Sequence, residues 1–173
     1  MKIHVNDKLE LKQVQVHEAN DLYQLVDDNR MQLREWLPWL DFMTGADKYR
    51  PIITDWIHVN DAKEAMTLGV YYEGRLAGMC GYNSIDGLSR RGQIGYWLAE
   101  EFTGHGIMTE AVQATVDFGF KELGLNRVEI IAGVENDKSR KIAEHLEFTQ
   151  EAIMKDYEFL YDHYHDCALY RML

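Results

Sequence analysis

The sequence has few prolines, few cysteines and no long apolar run. With 2 prolines and no low-complexity tract among its 173 residues, it carries no sign of a linker or a disordered tail. Cys80 and Cys167 are too few for a disulfide framework, so a reducing cytoplasm is the expected location. No apolar run approaches the roughly 20 residues of a membrane span, and the opening MKIHVNDKLELK lacks the apolar core of a signal peptide. We therefore expect no membrane association.

Basic side chains are also in deficit. The chain carries 18 Lys and Arg residues against 29 Asp and Glu residues, which gives a formal charge of −11. Such a surface repels the phosphates of nucleic acids, so direct DNA or RNA binding is not expected. It would attract a cationic partner, such as an amine or a basic protein, although acidity can equally serve solubility alone.

The length and the hydrophobic patterns predict one mixed α/β domain over residues 1–173. Alternating patterns predict strands at 9–16, 67–86 (a hairpin turning at Glu73 and Gly74), 92–101, 126–136, 152–160 and 164–173. Helical spacing predicts helices at 17–30 and 49–66, another ending near Gly124, and a short one at 137–148. Residues 93–134 form a predicted strand–helix–strand unit.

Two glycines stand between a predicted strand and a helix in EEFTGHGIMTEA, residues 100–111. Gly104 and Gly106 have no side chains to block access to the backbone amides there. Amides at a helix N-terminus bind anions such as a diphosphate. The loop is not a Walker motif, because Ile107 and Met108 follow Gly106, and Thr109 stands where the dinucleotide motif has its third glycine. Alone, the loop is also compatible with an ordinary tight turn.

The surrounding motifs resemble a known family. Residues 93–148 are similar to the acetyl-CoA-binding core of the GNAT (Gcn5-related N-acetyltransferase) superfamily. The segments IGYWL, GHGIMTEA, LNRVEI, ENDKS and EFLYDHYHDCALY resemble its ribosomal-protein N-acetyltransferase branch. The resemblance implies an α/β fold with a twisted, mostly antiparallel sheet, helices on both faces and two splayed central strands. It also implies an acetyl-CoA-dependent enzyme and a homodimer.

The resemblance implies contacts with the acyl carrier. The residues expected to bind it are Tyr96, Trp97, Leu98, Thr103, Gly104, His105, Gly106, Ile107, Met108, Thr109, Asn136, Ser139 and Lys141. We expect Gly95 to form a bulge that exposes strand edges to the pantetheine arm, and a main-chain amide near Leu98 to hold the oxyanion. Trp97 is also compatible with a place in the core or in the cleft wall.

Several carrier contacts have structural alternatives. Asn136 could instead cap a helix together with Asp137. Lys138 and Arg140 join Lys141 as candidates for the 3′-phosphate, or form a solvated helix face.

One position departs from the family pattern. The family usually has Gln or Arg three residues before the first glycine, where this chain has Glu101. Because main-chain amides supply much of the binding energy for the anion, we expect the departure to affect only the contact from this side chain. The anion site itself is still expected.

Two residues are implied as catalytic. Ser139 would protonate the leaving thiolate, and Glu158 would act through water as the base for the amine. The alternatives are that Ser139 satisfies first-turn helix amides and that Glu158 is an ordinary surface charge.

The acceptor is expected to be a protein N-terminal α-amine, as on a ribosomal protein. The alternatives are a small amine, such as a polyamine or an antibiotic, and a CoA-binding protein without activity. Trp36, Leu37, Pro38 and Trp39 are interpreted as core, with an acceptor pocket wall as the alternative. His163 and His165 share a strand face but lack a matching third ligand, so no metal site is predicted.

Overall fold

The computed structural model describes residues 1–173. The strands are β1 Lys2–His4, β2 Leu9–Lys12, β3 Met66–Tyr72, β4 Arg75–Asp86, β5 Arg91–Leu98, β6 Arg127–Gly133, β7 Thr149–Leu160 and β8 His163–Met172. The α-helices are α1 Ala19–Asp28, α2 Arg30–Leu33, α3 Ala46–Ala62, α4 Ile107–Lys121 and α5 Asp137–His145. Short 3-10 helices cover Val16–Glu18, Pro38–Phe42 and Glu100–Phe102. None of the helices combines the length and the hydropathy that crossing a membrane requires.

All strands belong to one sheet, in the order β1-β2-β3-β4-β5-β6-β8-β7. Only β5 and β6 run parallel, and α4 connects them. A parallel pair needs such a crossover because the end of one strand and the start of the next lie at opposite edges. The predicted strand–helix–strand unit and the mixed, mostly antiparallel sheet are both confirmed.

The predicted hairpin is formed by β3 and β4. Glu73 and Gly74 connect the two strands with φ angles of 49° and 80°. Positive φ at both central residues defines the type I′ turn, whose twist matches that of paired strands. Glycine adopts this conformation without steric cost, so the turn follows from the local sequence.

The element bounds differ from the sequence prediction in the N-terminal third. Strand β1 was not predicted, because three residues are too few to produce a readable alternation. Helix α3 ends at Ala62 rather than at residue 66, since Lys63 adopts a left-handed conformation with φ 58°. The amides of Lys63 and Glu64 then bond back to Asn60 and Val59 in a Schellman arrangement. Because glycine usually occupies that position, the lysine in the sequence did not predict the end of the helix.

The core lies on both faces of the sheet. One buried cluster joins the sheet to α4 and includes Cys80, whereas a second joins it to α1 and α3 and includes Met79. Successive strand residues point to opposite faces, so these neighbours in β4 show that the clusters lie on opposite sides. The prediction of helices on both faces is confirmed.

The two central strands separate halfway along. The parallel pairing of β5 with β6 stops at Ile94 and Ile130, and the remainder of each strand is unpaired on that side. The expected bulge at Gly95 is wrong: the register shift lies in β4 between Tyr82 and Ser84. Gly95 is needed for a different reason, because a Cβ there would come within 2.4 Å of the Asn83 side chain.

Gly81 places β4 close against β3, and we expect Gly81→Ala to lower the free energy of unfolding by about 3 kcal/mol. An added Cβ would lie 1.7 Å from the Met66 carbonyl oxygen, which is backbone and cannot rotate away. Urea unfolding measures the effect. Gly87→Ala is the matched control, because a Cβ at Gly87 meets nothing within 4 Å. Equal stability of the two variants would contradict the close approach.

Candidate active site

A cleft of about 1100 Å³ opens where β5 and β6 separate. Its walls come from the two strands, the starts of α4 and α5, the segment around α2, and the β7–β8 hairpin. Of the predicted site residues, the ones that line it are Tyr96, Trp97, Leu98, Thr103, Gly104, Gly106, Ile107, Met108, Thr109, Asn136, Ser139, Lys141 and Glu158. His105 is the exception, because it is exposed in the loop outside the lining.

The glycine loop ends directly at the N-terminus of α4. Gly104 and Gly106 have φ angles of 81° and 76°, in the left-handed region that favours glycine. Backbone amides from Gly104 to Thr109 donate to no other group of the chain. Since the helix dipole adds partial positive charge at this end, the loop is a site for an anion.

The splayed strands present free hydrogen-bonding groups to the cleft. The Ala99 amide donates to the Ala77 carbonyl oxygen, on the β4 side of the strand. Successive amides along a strand point to opposite sides. The Leu98 amide therefore faces the gap. On β6, the Val134 amide donates to the Asp166 carbonyl oxygen, beside β8. By the same alternation, the Ile131 carbonyl and the Gly133 backbone groups face the gap, beyond the last β5–β6 pair at Ile94 and Ile130. An extended, amide-bearing ligand can bond to both edges as an added strand.

Ser139 is joined to Tyr96 across the cleft wall. The Ser139 hydroxyl donates to the Tyr96 hydroxyl at 3.1 Å, and the Tyr96 hydroxyl donates to the Ser139 carbonyl oxygen at 2.8 Å. Burial raises the pKa of Tyr96 above its usual value, so its proton is retained. The sequence had indicated Tyr96 only as an edge residue, and its partnership with Ser139 was missed. No local pattern links residues 43 positions apart.

Asn136 caps α5, as the alternative to carrier binding predicted for this residue. Its side-chain oxygen accepts the Ser139 amide at 3.2 Å. The Asn136 side-chain amide donates to no group of the chain, and the residue lines the cleft. Capping and ligand binding are therefore compatible at this position.

Glu158 lies half-buried in the cleft beside Cys167, which the sequence analysis did not place at the site. The Cys167 thiol donates to a Glu158 carboxylate oxygen at 3.9 Å. Burial, together with the Glu158 charge, raises the pKa of Cys167 to about 11, so the thiol stays protonated at neutral pH. A register shift between Met154 and Glu158 sets this pairing, and alternation along the sequence could not reveal it.

The basic residues of α5 separate into two groups. Lys138 and Lys141 line the cleft and have no ion-pair partner. Arg140 instead donates to the Val134 carbonyl and to the Tyr170 hydroxyl, on the other side of the helix. The interpretation of Arg140 as a phosphate ligand is therefore wrong.

Glu101, the departure from the family pattern, does not line the cleft. Arg75 pairs with the Glu101 carboxylate at 3.0 Å on the exposed surface. The negative charge is thus compensated outside the anion-binding loop.

The two tryptophans after α2 form a cleft wall, whereas Leu37 between them packs against the second buried cluster. Trp39 is 41% exposed, and both Trp36 and Trp39 line the cleft. A Cβ on Gly133 would lie 2.8 Å from the Trp36 ring, so Trp36 rests on the separated end of β6. The core interpretation of these tryptophans is therefore wrong, because the loop carries them over the gap between the strands.

His163 and His165 lie on one strand face, with ring centroids 4.1 Å apart. The Trp36 ring meets His165 edge-on at 6.3 Å. No group of three or more His, Cys, Asp or Glu side chains is arranged to hold a metal ion. His165 thus packs edge-on against Trp36, which lines the cleft.

The sequence model of the acetyltransferase (GNAT) domain matches residues 8–149. The chain belongs to the GNAT family. The predicted class of enzyme, an acetyl-CoA-dependent N-acetyltransferase, is thereby confirmed. YdaF of Bacillus subtilis (strain 168) is 35% identical over 170 residues, covering 98% of this chain and 93% of that protein.

Other family members resemble the chain over most of its length. The ribosomal-protein-serine acetyltransferase of Escherichia coli (strain K12) is 32% identical, with 97% of this chain and 94% of that protein covered. Spermidine N(1)-acetyltransferase of the same organism is 27% identical, with 83% and 74% covered. The solved structure of RimL, a ribosomal L7/L12 α-N-protein acetyltransferase in complex with coenzyme A, superposes with a TM-score of 0.96 at 29% identity, covering 100% of this chain and 98% of RimL.

Proposed function

We propose that the chain transfers the acetyl group of acetyl-CoA to the α-amine at a protein N-terminus, by direct attack in a ternary complex. The observation that carries this proposal is the gap between β5 and β6, which leads to the free amides at the start of α4. An amide-bearing arm fits the unpaired edges, and a diphosphate fits the helix N-terminus. The likeness to RimL, whose solved structure contains coenzyme A, supports a carrier of this kind.

The proposed carrier site follows the cleft from the loop to the sheet. The amides from Gly104 to Thr109, which include His105, Ile107 and Met108, hold the diphosphate, with Thr103 beside them. Tyr96, Trp97 and Leu98 line the arm on one side, and the free Asn136 amide bonds it on the other. Lys141, with Lys138, reaches the 3′-phosphate, since neither lysine is committed to a carboxylate of the chain.

The proposed chemistry uses groups at the separated ends of the strands. A terminal α-amine has a pKa near 8, so about a tenth is neutral at pH 7 and moderate help from a base suffices. Glu158 accepts a proton from the amine through water, while the Leu98 amide stabilises the oxyanion. Ser139, in contact with the protonated Tyr96 hydroxyl, supplies the proton to the leaving thiolate.

The acceptor end of the cleft favours a cationic ligand. Glu35, Glu135 and Glu158 all line the cleft, and the chain as a whole has a charge of −11. A protein N-terminus is supported by relatives named for the acetylation of ribosomal proteins. The same charge also suits a small polyamine, and the likeness to spermidine N(1)-acetyltransferase keeps that acceptor as the alternative.

The proposal includes a homodimer that acts in the cytoplasm, each chain being a single domain over residues 1–173. Strand β7 is a sheet edge, and its hairpin with β8 exposes Tyr157, Phe159 and Tyr164 by 53 to 61%. Contiguous exposed aromatic side chains are typical of a protein interface. Light scattering at assay concentration tests the dimer, which a monomer mass would exclude.

The acceptor is tested with a panel of amines and acetyl-CoA, with thiol release as the readout. We expect short peptides with a free N-terminus to exceed spermidine and aminoglycosides in kcat/KM by about tenfold or more. Turnover of the small amines alone would instead establish the alternative acceptor. Tight binding of coenzyme A without turnover of any amine would indicate a carrier-binding protein. Mass spectrometry of cellular N-termini with and without this chain then identifies the natural acceptor.

A further inference from the structure

The β7–β8 hairpin carries a wide bulge directly before Glu158. Regular pairing of β7 with β8 stops at Met154 and resumes where Glu158 stands opposite His165. Residues 155–157 of β7 therefore face Asp166 alone on the other strand. Bulges of this kind redirect side chains and are common next to active sites.

The bulge determines where Glu158 lies. If β7 continued from Met154 in regular register, Glu158 would stand opposite His163, which is exposed and outside the cleft. The extra residues of the bulge instead shift it by one cross-strand pair, about 7 Å along β8 towards Cys167. There its carboxylate lies 3.9 Å from the Cys167 thiol, and the residue lines the cleft. The position of the proposed base therefore depends on the bulge.

Asp166 holds the middle of the bulge through its side chain. The Asp166 Oδ1 accepts the main-chain amide of Asp156 at 3.0 Å, and its Oδ2 accepts the Lys155 ammonium at 2.7 Å. Asp156 has a φ angle of 48°, in the left-handed region that residues other than glycine rarely adopt. The Lys155 ammonium and the Asp156 amide hold the pKa of the Asp166 carboxyl below its usual value, so the carboxylate is ionised at neutral pH.

Of these two contacts, the one with the backbone is expected to matter more. The Lys155 side chain is 78% exposed, and exposed ion pairs contribute little to stability. The bond from the Asp156 amide, by contrast, fixes the backbone where its conformation is least favourable. Asp166 is itself anchored, because its carbonyl oxygen accepts the Val134 amide at 2.9 Å, directly after β6. Asp166 thus connects the bulge to the strand on the other side of the hairpin.

We propose that Asp166 is a positioning residue, which keeps Glu158 in the cleft by holding the bulge that precedes it. This proposal rests on the proposed function, because it requires Glu158 to act as the base. Asp166 itself does not line the cleft, so it has no direct contact with the carrier or the acceptor. Its loss should therefore lower kcat and leave the KM for acetyl-CoA unchanged.

The test compares three substitutions with a peptide acceptor and acetyl-CoA. Asp166→Ala should lower kcat at least about tenfold, because a shift of about 1 Å in a reacting group can cost a hundredfold in rate. Asp166→Asn should keep kcat within about threefold of the parental value, since its side-chain oxygen still accepts the Asp156 amide. Lys155→Met, which removes only the exposed ion pair, should do the same. An equal loss in Asp166→Asn and Asp166→Ala would contradict the backbone contact as the cause.

Asp86→Ala is the matched control. Asp86 makes the same two kinds of contact, because it accepts the Ser89 amide at 2.9 Å and pairs with Arg91 at 3.8 Å. It lies at the turn between β4 and β5, outside the cleft. Asp86→Ala and Asp166→Ala should lower the melting temperature to a similar extent, whereas only Asp166→Ala should lower kcat.

A double-mutant cycle with Glu158 distinguishes positioning from general damage. In the Glu158→Gln protein, Asp166→Ala should lower kcat no further, because no base is left to position. An equal loss of kcat in both backgrounds, or parental kcat in Asp166→Ala, would overturn the positioning role alone. Parental kcat in Glu158→Gln would overturn the role of the base, and no turnover by the parental protein would overturn the proposed function. The positioning role would be refuted with either.

Discussion

Replacing Glu158 by glutamine is expected to lower kcat about a hundredfold, with coenzyme A affinity unchanged within about twofold. Glutamine keeps the shape of the side chain and can still meet the Cys167 thiol, which lies 3.9 Å from the carboxylate. It cannot take up a proton from the amine. The deficit should narrow as the pH rises above about 8, because the attacking α-amine then becomes neutral without a base. A pH profile of kcat with a peptide acceptor measures both effects.

Glu151→Gln is the matched control for this substitution. Glu151 lies on the same strand but is exposed and outside the cleft, where it pairs with Arg127 and Arg171. Its kcat should remain close to the parental value. Ser139→Ala should lower kcat less, about tenfold, since the Tyr96 hydroxyl remains as a proton donor. Near-parental turnover in both Glu158→Gln and Ser139→Ala would show that neither residue has the proposed role.

Replacing Gly106 by valine is expected to weaken coenzyme A binding at least about a hundredfold while the fold is retained. A Cβ at this position meets nothing of the chain within 4 Å, so it would project into the space proposed for the diphosphate. The left-handed backbone, with φ 76°, adds strain of about 1–2 kcal/mol. Calorimetric titration with coenzyme A measures the loss, and circular dichroism checks the fold.

The Gly124→Val variant distinguishes the effect of backbone strain from the effect of blocking the proposed diphosphate site. Gly124 also has a positive φ, of 64°, and a Cβ there meets nothing within 4 Å, but it lies outside the cleft at the other end of α4. The two variants should lose similar stability, whereas only Gly106→Val should lose coenzyme A. Normal binding by Gly106→Val would show that the loop amides do not hold the carrier.

Local patterns predicted most of the fold. The turn at Glu73 and Gly74 and the helix after Gly106 depend on neighbouring residues, so sequence spacing is sufficient to locate them. The predicted end of α3 was wrong because no residue there is typical of a helix end: Lys63 fills a position that glycine usually occupies. The wrong bulge at Gly95 has another cause: the glycine accommodates Asn83 of the neighbouring strand, and that contact has no trace in the local sequence.

The sequence by itself determined the strand–helix–strand unit and the glycine loop, because spacing within a strand, a turn or a helix start is a short-range property. The resemblance of its motifs added the family and the mostly antiparallel sheet. Only the tertiary structure decided how distant segments combine. It placed Trp36 on Gly133 rather than in the core, turned Arg140 away from the cleft, and brought Cys167 to Glu158. It also buried the Tyr49 hydroxyl without a hydrogen-bond partner. These relations depend on strand register and on packing between elements, which no spacing along the chain encodes.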